Sequence, residues 1–197
     1  GLKDQGWDAM GLFAREMRKN GLDPNNRIIM TTNTPNPPNV PVEMLNTIYN
    51  VADVGINTTK GGGWELVNFE HAACRVAQVA SDHTSTKEIF EGYGKLIKCD
   101  HIDVDTNYGR EMPCPSVEHL VEILVELYED RDELERVAQA CYGRVTEDQF
   151  KWDNISDQFD GVFQEVLQAE PLVGAESVSP KKKGKCKKKR RKVPIGG

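Results

Sequence analysis

The residues with the clearest chemical potential lie between positions 57 and 80. Three consecutive glycines at 61–63 lead directly into a helical pattern that carries two carboxylates, Glu65 and Glu70. Glycine permits a left-handed backbone and lets a ligand approach the chain without a Cβ in the way. A glycine loop before a helix also presents unpaired N–H groups at the positive end of the helix dipole. This arrangement predicts a phosphate-binding site, with Lys60 as a nearby cation.

The same segment resembles the donor-sugar site of the family 4 retaining glycosyltransferases. These enzymes use nucleotide sugars and have two Rossmann-like domains, the GT-B fold. Their motif is a Glu, then Gly-aromatic-Gly-Leu, then a second Glu followed by small residues. Gly63, Trp64 and Leu66 match the Gly-aromatic and Leu positions, and Glu70 matches the second Glu.

Two positions depart from this motif. Gly62 stands where the first Glu belongs, and Glu65 replaces the second motif glycine. The role of the first Glu therefore has no residue to carry it, and the catalytic residue stays unknown. A carboxylate near a diphosphate repels it, so Glu65 is expected to oppose donor binding. The alternative is that Glu65 is an ordinary charge in the first helical turn, which the helix dipole favours.

The resemblance implies a site and a function. The chain would bind a nucleotide-diphosphate sugar, and the full enzyme would transfer that sugar with retention of configuration. Glu70 would accept hydrogen bonds from the ribose hydroxyls, and backbone amides near 64–67 would face the diphosphate and sugar. No metal is expected, nor any cofactor beyond the nucleotide sugar as substrate. The implied donor-binding residues are Gly61, Gly62, Gly63, Trp64, Glu65, Leu66, Val67 and Glu70.

A second hypothesis is a non-catalytic relic or binding module that acts through a basic tail. Gly62 favours this alternative, whereas Glu70 and the order of strand, loop and helix favour a glycosyltransferase. In either case the isolated chain is expected to be inactive, because the resemblance implies that the N-terminal acceptor domain and the first strand and helix of the donor half are missing. The donor base, the sugar and the acceptor are not defined by the sequence.

The elements that must position these residues alternate between helices and short apolar strands. Strands are predicted at 27–31, 51–57, 76–80 and 93–98, with an exposed strand at 101–107 and an irregular segment at 108–115. Helices are predicted at 6–21, from Pro41, at 64–75, from a capping box at Ser85, from Ser116, from Asp130 to Gly143, and at 154–168.

This order predicts an α/β fold, a three-layer Rossmann-like domain with a mainly parallel sheet. Ligands bind beyond the carboxyl ends of such strands, so the loops at 31–36, 58–64 and 81–84 should converge. In helix 64–75, Leu66, Val67, Phe69, Ala72 and Ala73 are the residues expected to face the sheet. The domain is expected to span residues 1–170, as the C-terminal half of a GT-B enzyme.

Composition separates an acidic body from a basic tail. Residues 180–197 hold ten Lys and Arg and no acid, whereas residues 1–179 hold 15 Lys and Arg against all 31 Asp and Glu. We interpret residues 171–197 as a disordered polybasic tail, which serves as a nuclear import signal, as a polyanion-binding patch, or only as a solubilising extension. Five scattered cysteines favour free thiols in a reducing compartment, and the four histidines are not expected to form a ligand cluster. With no transmembrane segment or signal peptide in view, a cytoplasmic location is expected, or a nuclear one through the tail.

Overall fold

The computed structural model describes residues 8–29 and 40–169 of the 197-residue chain. Contacts divide the chain into two units, residues 1–151 and residues 152–197. The described elements of the first unit are α1 (Ala9–Lys19), α2 (Val42–Tyr49), β1 (Val54–Asn57), α3 (Leu66–Ala73), β2 (Ala77–Ser81), α4 (Thr84–Phe90), β3 (Lys95–Ile97), β4 (Cys99–Asp105), β5 (Arg110–Pro115), α5 (Val117–Glu129), α6 (Arg131–Val145) and a 3₁₀ turn (Asp148–Phe150). The second unit contributes α7 (Trp152–Gln168).

The first three strands form a parallel sheet in the order β1-β2-β3. Val54 pairs with Ala77, and Val79 pairs with Lys95. Every residue of the central strand β2 is buried, since β2 has a neighbour on each side and is packed by α3, α4 and α6. The prediction of an α/β protein with a mainly parallel sheet is confirmed.

The core forms where β2 and β3 meet α4, α5 and α6. Ile89 and Phe90 of α4, Ile97 of β3 and Leu127 of α5 are at most 2% exposed. Each such side chain contributes about 1.5–3 kcal/mol through the apolar surface that it removes from water. The buried core residues are Ala72, Ala77, Val79, Ile89, Phe90, Ile97, Ile123, Leu127, Val137, Ala138, Cys141 and Val145.

A hairpin of β4 and β5 lies outside this sheet. The two strands are antiparallel, with His101 opposite Cys114 and Asp103 opposite Met112. The sequence predicted β4 as an exposed strand, but the irregular segment predicted at 108–115 is wrong because β5 occupies most of it. Pro113 and Pro115 made a strand look unfavourable in the sequence. A two-stranded ribbon accepts prolines because its outward N–H groups have no neighbouring strand to bond.

Helix α3 buries only part of the predicted face, since Ala72 lies in the core and Phe69 packs against it. Asn68, His71 and Ala72 are buried, whereas Leu66 and Val67 are each 62% exposed. The helix is oriented by an amide chain, because Asn68 Nδ2 donates to Gln78 Oε1 of β2 at 2.9 Å. Polar side chains such as Asn68 thus make the contact with the sheet that the apolar spacing had assigned to Leu66 and Val67. Ala73 is also exposed.

Several helix boundaries differ from the predicted ones. Helix α4 begins at Thr84 with His83 as its N-cap, so the capping box predicted at Ser85 is wrong. Helix α6 continues through Gly143 to Val145, where burial of Cys141 and Val145 offsets the ~1 kcal/mol that a helical glycine costs.

Residues 27–29 are not in a strand, which corrects that part of the prediction at 27–31. This segment is a turn in which Asn26 has a positive φ and Arg27 Nε donates to the carbonyl oxygen of Asp23. Residues 30–39 and the polybasic tail lie outside the described residues. None of the helices in the described ranges combines the length and apolar composition that crossing a bilayer requires.

Helix α7 is amphipathic. The predicted helix at 154–168 is present, and its apolar residues Phe159, Val162, Phe163 and Val166 are each more than half exposed. The rings of Phe159 and Phe163 lie 6.2 Å apart on successive turns.

Candidate functional site

The glycine loop at 58–64 connects the carboxyl end of β1 to α3. The segment that follows β2 holds this loop in place. Ser81 Oγ and His83 Nε2 each donate a hydrogen bond to the carbonyl oxygen of Thr59 at 2.8 Å, and Ser85 Oγ donates to that of Gly62 at 3.0 Å. The predicted convergence of the loops after β1 and β2 is therefore observed, while the loop at 31–36 lies outside the described residues.

Asn57, the last residue of β1, organises the start of the loop. Its Oδ1 accepts the N–H of Thr59 at 2.9 Å, and its Nδ2 donates to Glu65 Oε2 at 2.9 Å and to Asn68 Oδ1. Through Asn68 the network reaches Gln78, a fully buried residue of β2. Buried amides satisfied in this way fix geometry, because an unpaired partner would cost about 1–3 kcal/mol. The loop and the first turn of α3 thus share one anchor at the strand end.

Glu65 stands at the N-cap of α3 in a left-handed conformation, with φ 58° and ψ 60°. This conformation costs a non-glycine residue roughly 1–2 kcal/mol. Its side chain turns back over the loop, so that a Cβ placed on Gly62 would overlap Glu65 Oε1. The carboxylate of residue 65 therefore occupies the space that a side chain at position 62 would need.

The beginning of α3 has the features of an anion site. No side chain caps this helix, and the Asn68 N–H already donates to the Glu65 carbonyl oxygen, so the amides of Leu66 and Val67 are the ones without an intrahelical acceptor. Leu66 and Val67 lie at this turn with exposed side chains. Gly61 has φ 152°, and a Cβ on either Gly61 or Gly63 would meet no atom within 4 Å, so the backbone is open to approach.

Trp64 is fixed by an aromatic cluster. Its ring lies 5.4 Å from that of Phe69 and 5.6 Å from that of Phe150, and the latter two rings are 5.2 Å apart. The indole is nevertheless 41% exposed. Trp64 is thus partly a packing residue, and its exposed part is available as a wall beside the loop.

Glu70 lies on the exposed surface of α3, where its carboxylate accepts a hydrogen bond from Tyr49 Oη at 3.0 Å. Partial burial, followed by the Glu70 carboxylate, raises the pKa of Tyr49 to about 12, so Tyr49 is a hydrogen-bond donor at neutral pH. The Tyr49 ring also stacks on His71, whose Nε2 donates to the Tyr49 carbonyl oxygen at 3.1 Å. Burial lowers the pKa of His71, which favours its neutral form. Tyr49 and His71 thereby hold α2 against α3.

Lys60 was predicted as a cation near the phosphate site, but its side chain contacts the β4–β5 hairpin instead. Its ammonium group forms an ion pair with Asp103 of β4, which raises the pKa of Lys60. A cavity of about 300 Å³ adjoins this pair and is lined by Thr58, Lys60, His101, Cys114, Pro115, Ser116, Val117 and Leu120. Lys60 thus links the glycine loop to the hairpin through its ion pair with Asp103.

Sequence reasoning missed the residues that hold the loop. Asn57 and Ser81 each end a parallel strand, and this position is itself a signal for polar groups that face a ligand crevice. His83 and Ser85 gave no such signal, because their partners are 24 and 23 residues away in the chain.

The comparisons with known proteins add no family. The chain matches no protein-family model. It likewise matches no curated protein. The class that the geometry defines is an α/β protein with a three-stranded parallel sheet, consistent with a Rossmann-like fold, and a glycine loop at the carboxyl end of that sheet.

Proposed function

We propose that this chain is the donor-binding half of a retaining, nucleotide-sugar-dependent glycosyltransferase of GT-B architecture, with the helices in three layers about the sheet. The observation that carries the proposal is the left-handed backbone at residue 65. The family motif has a glycine at this position, and glycine is the residue that a φ of 58° favours. Residue 65 thus has a backbone that glycine would adopt without strain, which supports aligning it with the motif glycine.

The polar groups around the loop support a division of labour. The amides at the start of α3 bind the diphosphate of the donor, because they combine free donors with the positive end of the helix dipole. Glu70 accepts hydrogen bonds from two ribose hydroxyls, and Tyr49 holds its carboxylate in place through one oxygen. Trp64 provides an apolar wall.

The open edge of β1 supports the same architecture. In the described ranges no strand pairs with the outer side of β1, and Ile56 on this strand is half exposed. A GT-B donor half would extend the sheet there. Its partner domain would close the crevice and supply the acceptor site, so the chain alone is expected to bind the donor without transferring the sugar.

Calorimetric titration of the full chain with UDP, GDP and their sugars tests the proposal. We expect one nucleotide class to bind and Glu70→Ala to weaken its affinity about 10- to 100-fold, since a hydrogen bond to a charged group contributes about 1.5–3 kcal/mol. Tyr49→Phe removes the partner of Glu70 but keeps the carboxylate, and is expected to have a smaller effect. Glu43→Ala, an exposed acid of α2, is the control for lost negative charge.

The absence of binding to every nucleotide and nucleotide sugar would reject the donor-site assignment. Equal affinity in the parent and in Glu70→Ala would reject the role of Glu70 alone. Sugar transfer by the isolated chain would contradict the division into two halves.

A further inference from the structure

A cluster of three metal-ligand types lies on one face of the β4–β5 hairpin. His101, Asp103 and Cys114 each place one ligand atom within 4.8 Å of the other two. His101 and Cys114 are directly opposite each other in the antiparallel register, and Asp103 follows His101 by two residues. Alternation along β4 and pairing across to β5 put all three side chains on the same side of the ribbon. The cluster is thus a direct consequence of the strand register.

The donor set suits zinc. Imidazole nitrogen, thiolate sulfur and carboxylate oxygen are the ligands that Zn²⁺ binds in proteins, at about 2.0–2.3 Å. Ligand atoms around a tetrahedral zinc ion are then roughly 3.5 Å apart, so modest side-chain rotations would close the present arrangement. Cys114 is only 3% exposed, which shields a metal–thiolate bond from water, whereas His101 is exposed.

A second contact orients the imidazole for a metal. Asp100 Oδ1 lies 2.7 Å from His101 Nδ1, so Nδ1 is engaged by a carboxylate and Nε2 is the nitrogen left for coordination. Histidines that bind metals commonly bond an outer carboxylate in this way, which fixes the tautomer and raises the basicity of the coordinating nitrogen. Asp100 is therefore independent support for a ligand role of His101.

A cation already occupies the cluster. The Lys60 ammonium is paired with Asp103, and its side chain is 44% exposed, so it can leave toward solvent. We propose that His101, Asp103 and Cys114 form a Zn²⁺ site, in which Lys60 neutralises Asp103 when the metal is absent. Three protein ligands leave one coordination position, and the cavity of about 300 Å³ beside His101 and Cys114 gives water or another oxygen ligand access to it.

Co²⁺ is the spectroscopic probe for this site. The full chain, reduced and prepared without a histidine tag, is titrated with Co²⁺ and then with Zn²⁺. We expect a cobalt–thiolate charge-transfer band and visible bands of tetrahedral intensity at one equivalent, and their loss when Zn²⁺ displaces Co²⁺. Cys114→Ser and His101→Ala should remove or strongly weaken these bands. Cys74→Ser and Cys186→Ser are the matched thiol controls and should leave them unchanged.

Two further variants separate a built site from adventitious binding. Lys60→Met removes the competing ammonium and is expected to raise the Zn²⁺ affinity. Asp100→Asn weakens the outer contact and is expected to lower the affinity about 10- to 100-fold. Because His101 and Asp100 are exposed, His101→Ala and Asp100→Asn are expected to keep the fold even if Cys114→Ser does not.

Absence of the cobalt–thiolate band in the parent chain would overturn the proposal. So would a band that persists in His101→Ala, or one that disappears in Cys186→Ser. In those cases Lys60 would be only the counter-ion of Asp103.

Discussion

Residue 65 allows a sharp test of the site geometry, because its left-handed backbone should make glycine unusually favourable there. Glu65→Gly removes the ~1–2 kcal/mol cost of a side chain in this conformation. It also removes the hydrogen bond from Asn57 Nδ2 to the charged Glu65 Oε2, which contributes about 1.5–3 kcal/mol. The two effects oppose each other. We therefore expect Glu65→Gly to leave the free energy of unfolding within about 2 kcal/mol of the parent value.

Alanine at the same position separates the two effects. Glu65→Ala loses the hydrogen bond but keeps the left-handed strain, so it should be clearly less stable than Glu65→Gly. Glycine is also more stabilising than alanine at ordinary N-caps, so a second N-cap position is needed as a control. Asp130 caps α6 with an extended backbone at φ −103°.

The measured quantity is the difference in stability between the glycine and alanine variants at each position. Urea unfolding should give a difference that is about 1 kcal/mol larger at Glu65 than at Asp130, because only residue 65 is left-handed. In thermal unfolding this corresponds to an excess of about 2–4 °C. Equal differences at the two positions would refute the conformation assigned to Glu65.

The same geometry makes positions 62 and 65 interdependent. Gly62 has no left-handed φ, so it accepts a side chain once Glu65 Oε1 no longer fills the space above it. Gly62→Glu alone forces two carboxylates together, whereas Glu65→Gly alone supplies no new acceptor. The double variant restores the order of residues in the family motif and should improve nucleotide-sugar affinity by more than the sum of the single changes. A double variant that binds UDP- and GDP-sugars no better than the parent would mean that the motif alignment is wrong.

Two further predictions concern the body of the fold. Gly55→Ala should destabilise the chain by about 1–3 kcal/mol, because a Cβ on Gly55 would lie 2.5–2.7 Å from buried atoms of His71 and Gln78; Gly63→Ala, which meets open space, is the control in the same thermal assay. Hydrogen bonds from Arg136, then from Lys95, lower the pKa of Glu133 to about 2 from an ordinary 4.5, so its stabilising effect is present above pH 4.5 and is lost as the pH falls toward 2. Glu133→Gln should flatten that part of the stability–pH curve, whereas the exposed Glu122→Gln should retain the parent slope; identical slopes would exclude the ion-pair network as the cause.

The parallel sheet was predictable because its strands carry local signals. The apolar run at 76–80 becomes the buried central strand one residue later, at Ala77–Ser81. Ser116 was predicted to cap α5, and its Oγ does accept the N–H of His119. In these elements the burial and the cap depend on residues that are close in sequence, so the spacing and type of those residues are enough to predict them.

The hairpin and the orientation of α3 could not be predicted in the same way. The Lys60–Asp103 pair joins residues 43 positions apart, and the His101–Cys114 register exists only once β5 is recognised as a strand. The buried face of α3 is set by Asn68 through partners on two strands, which its apolar periodicity does not contain.

The side chain of Glu65 links positions 62 and 65 sterically. Residue 65 keeps a left-handed backbone although it carries a side chain. Its carboxylate stays over the loop because Asn57 Nδ2, at the end of β1, donates a hydrogen bond to it. Because its oxygen fills the space above Gly62, a side chain at position 62 requires the Glu65 carboxylate to move. A return to the family motif therefore requires both changes, and each single change leaves either a steric conflict or a missing acceptor. The two positions are therefore coupled, and their joint effect on nucleotide-sugar affinity is measured by the complete cycle of single and double variants.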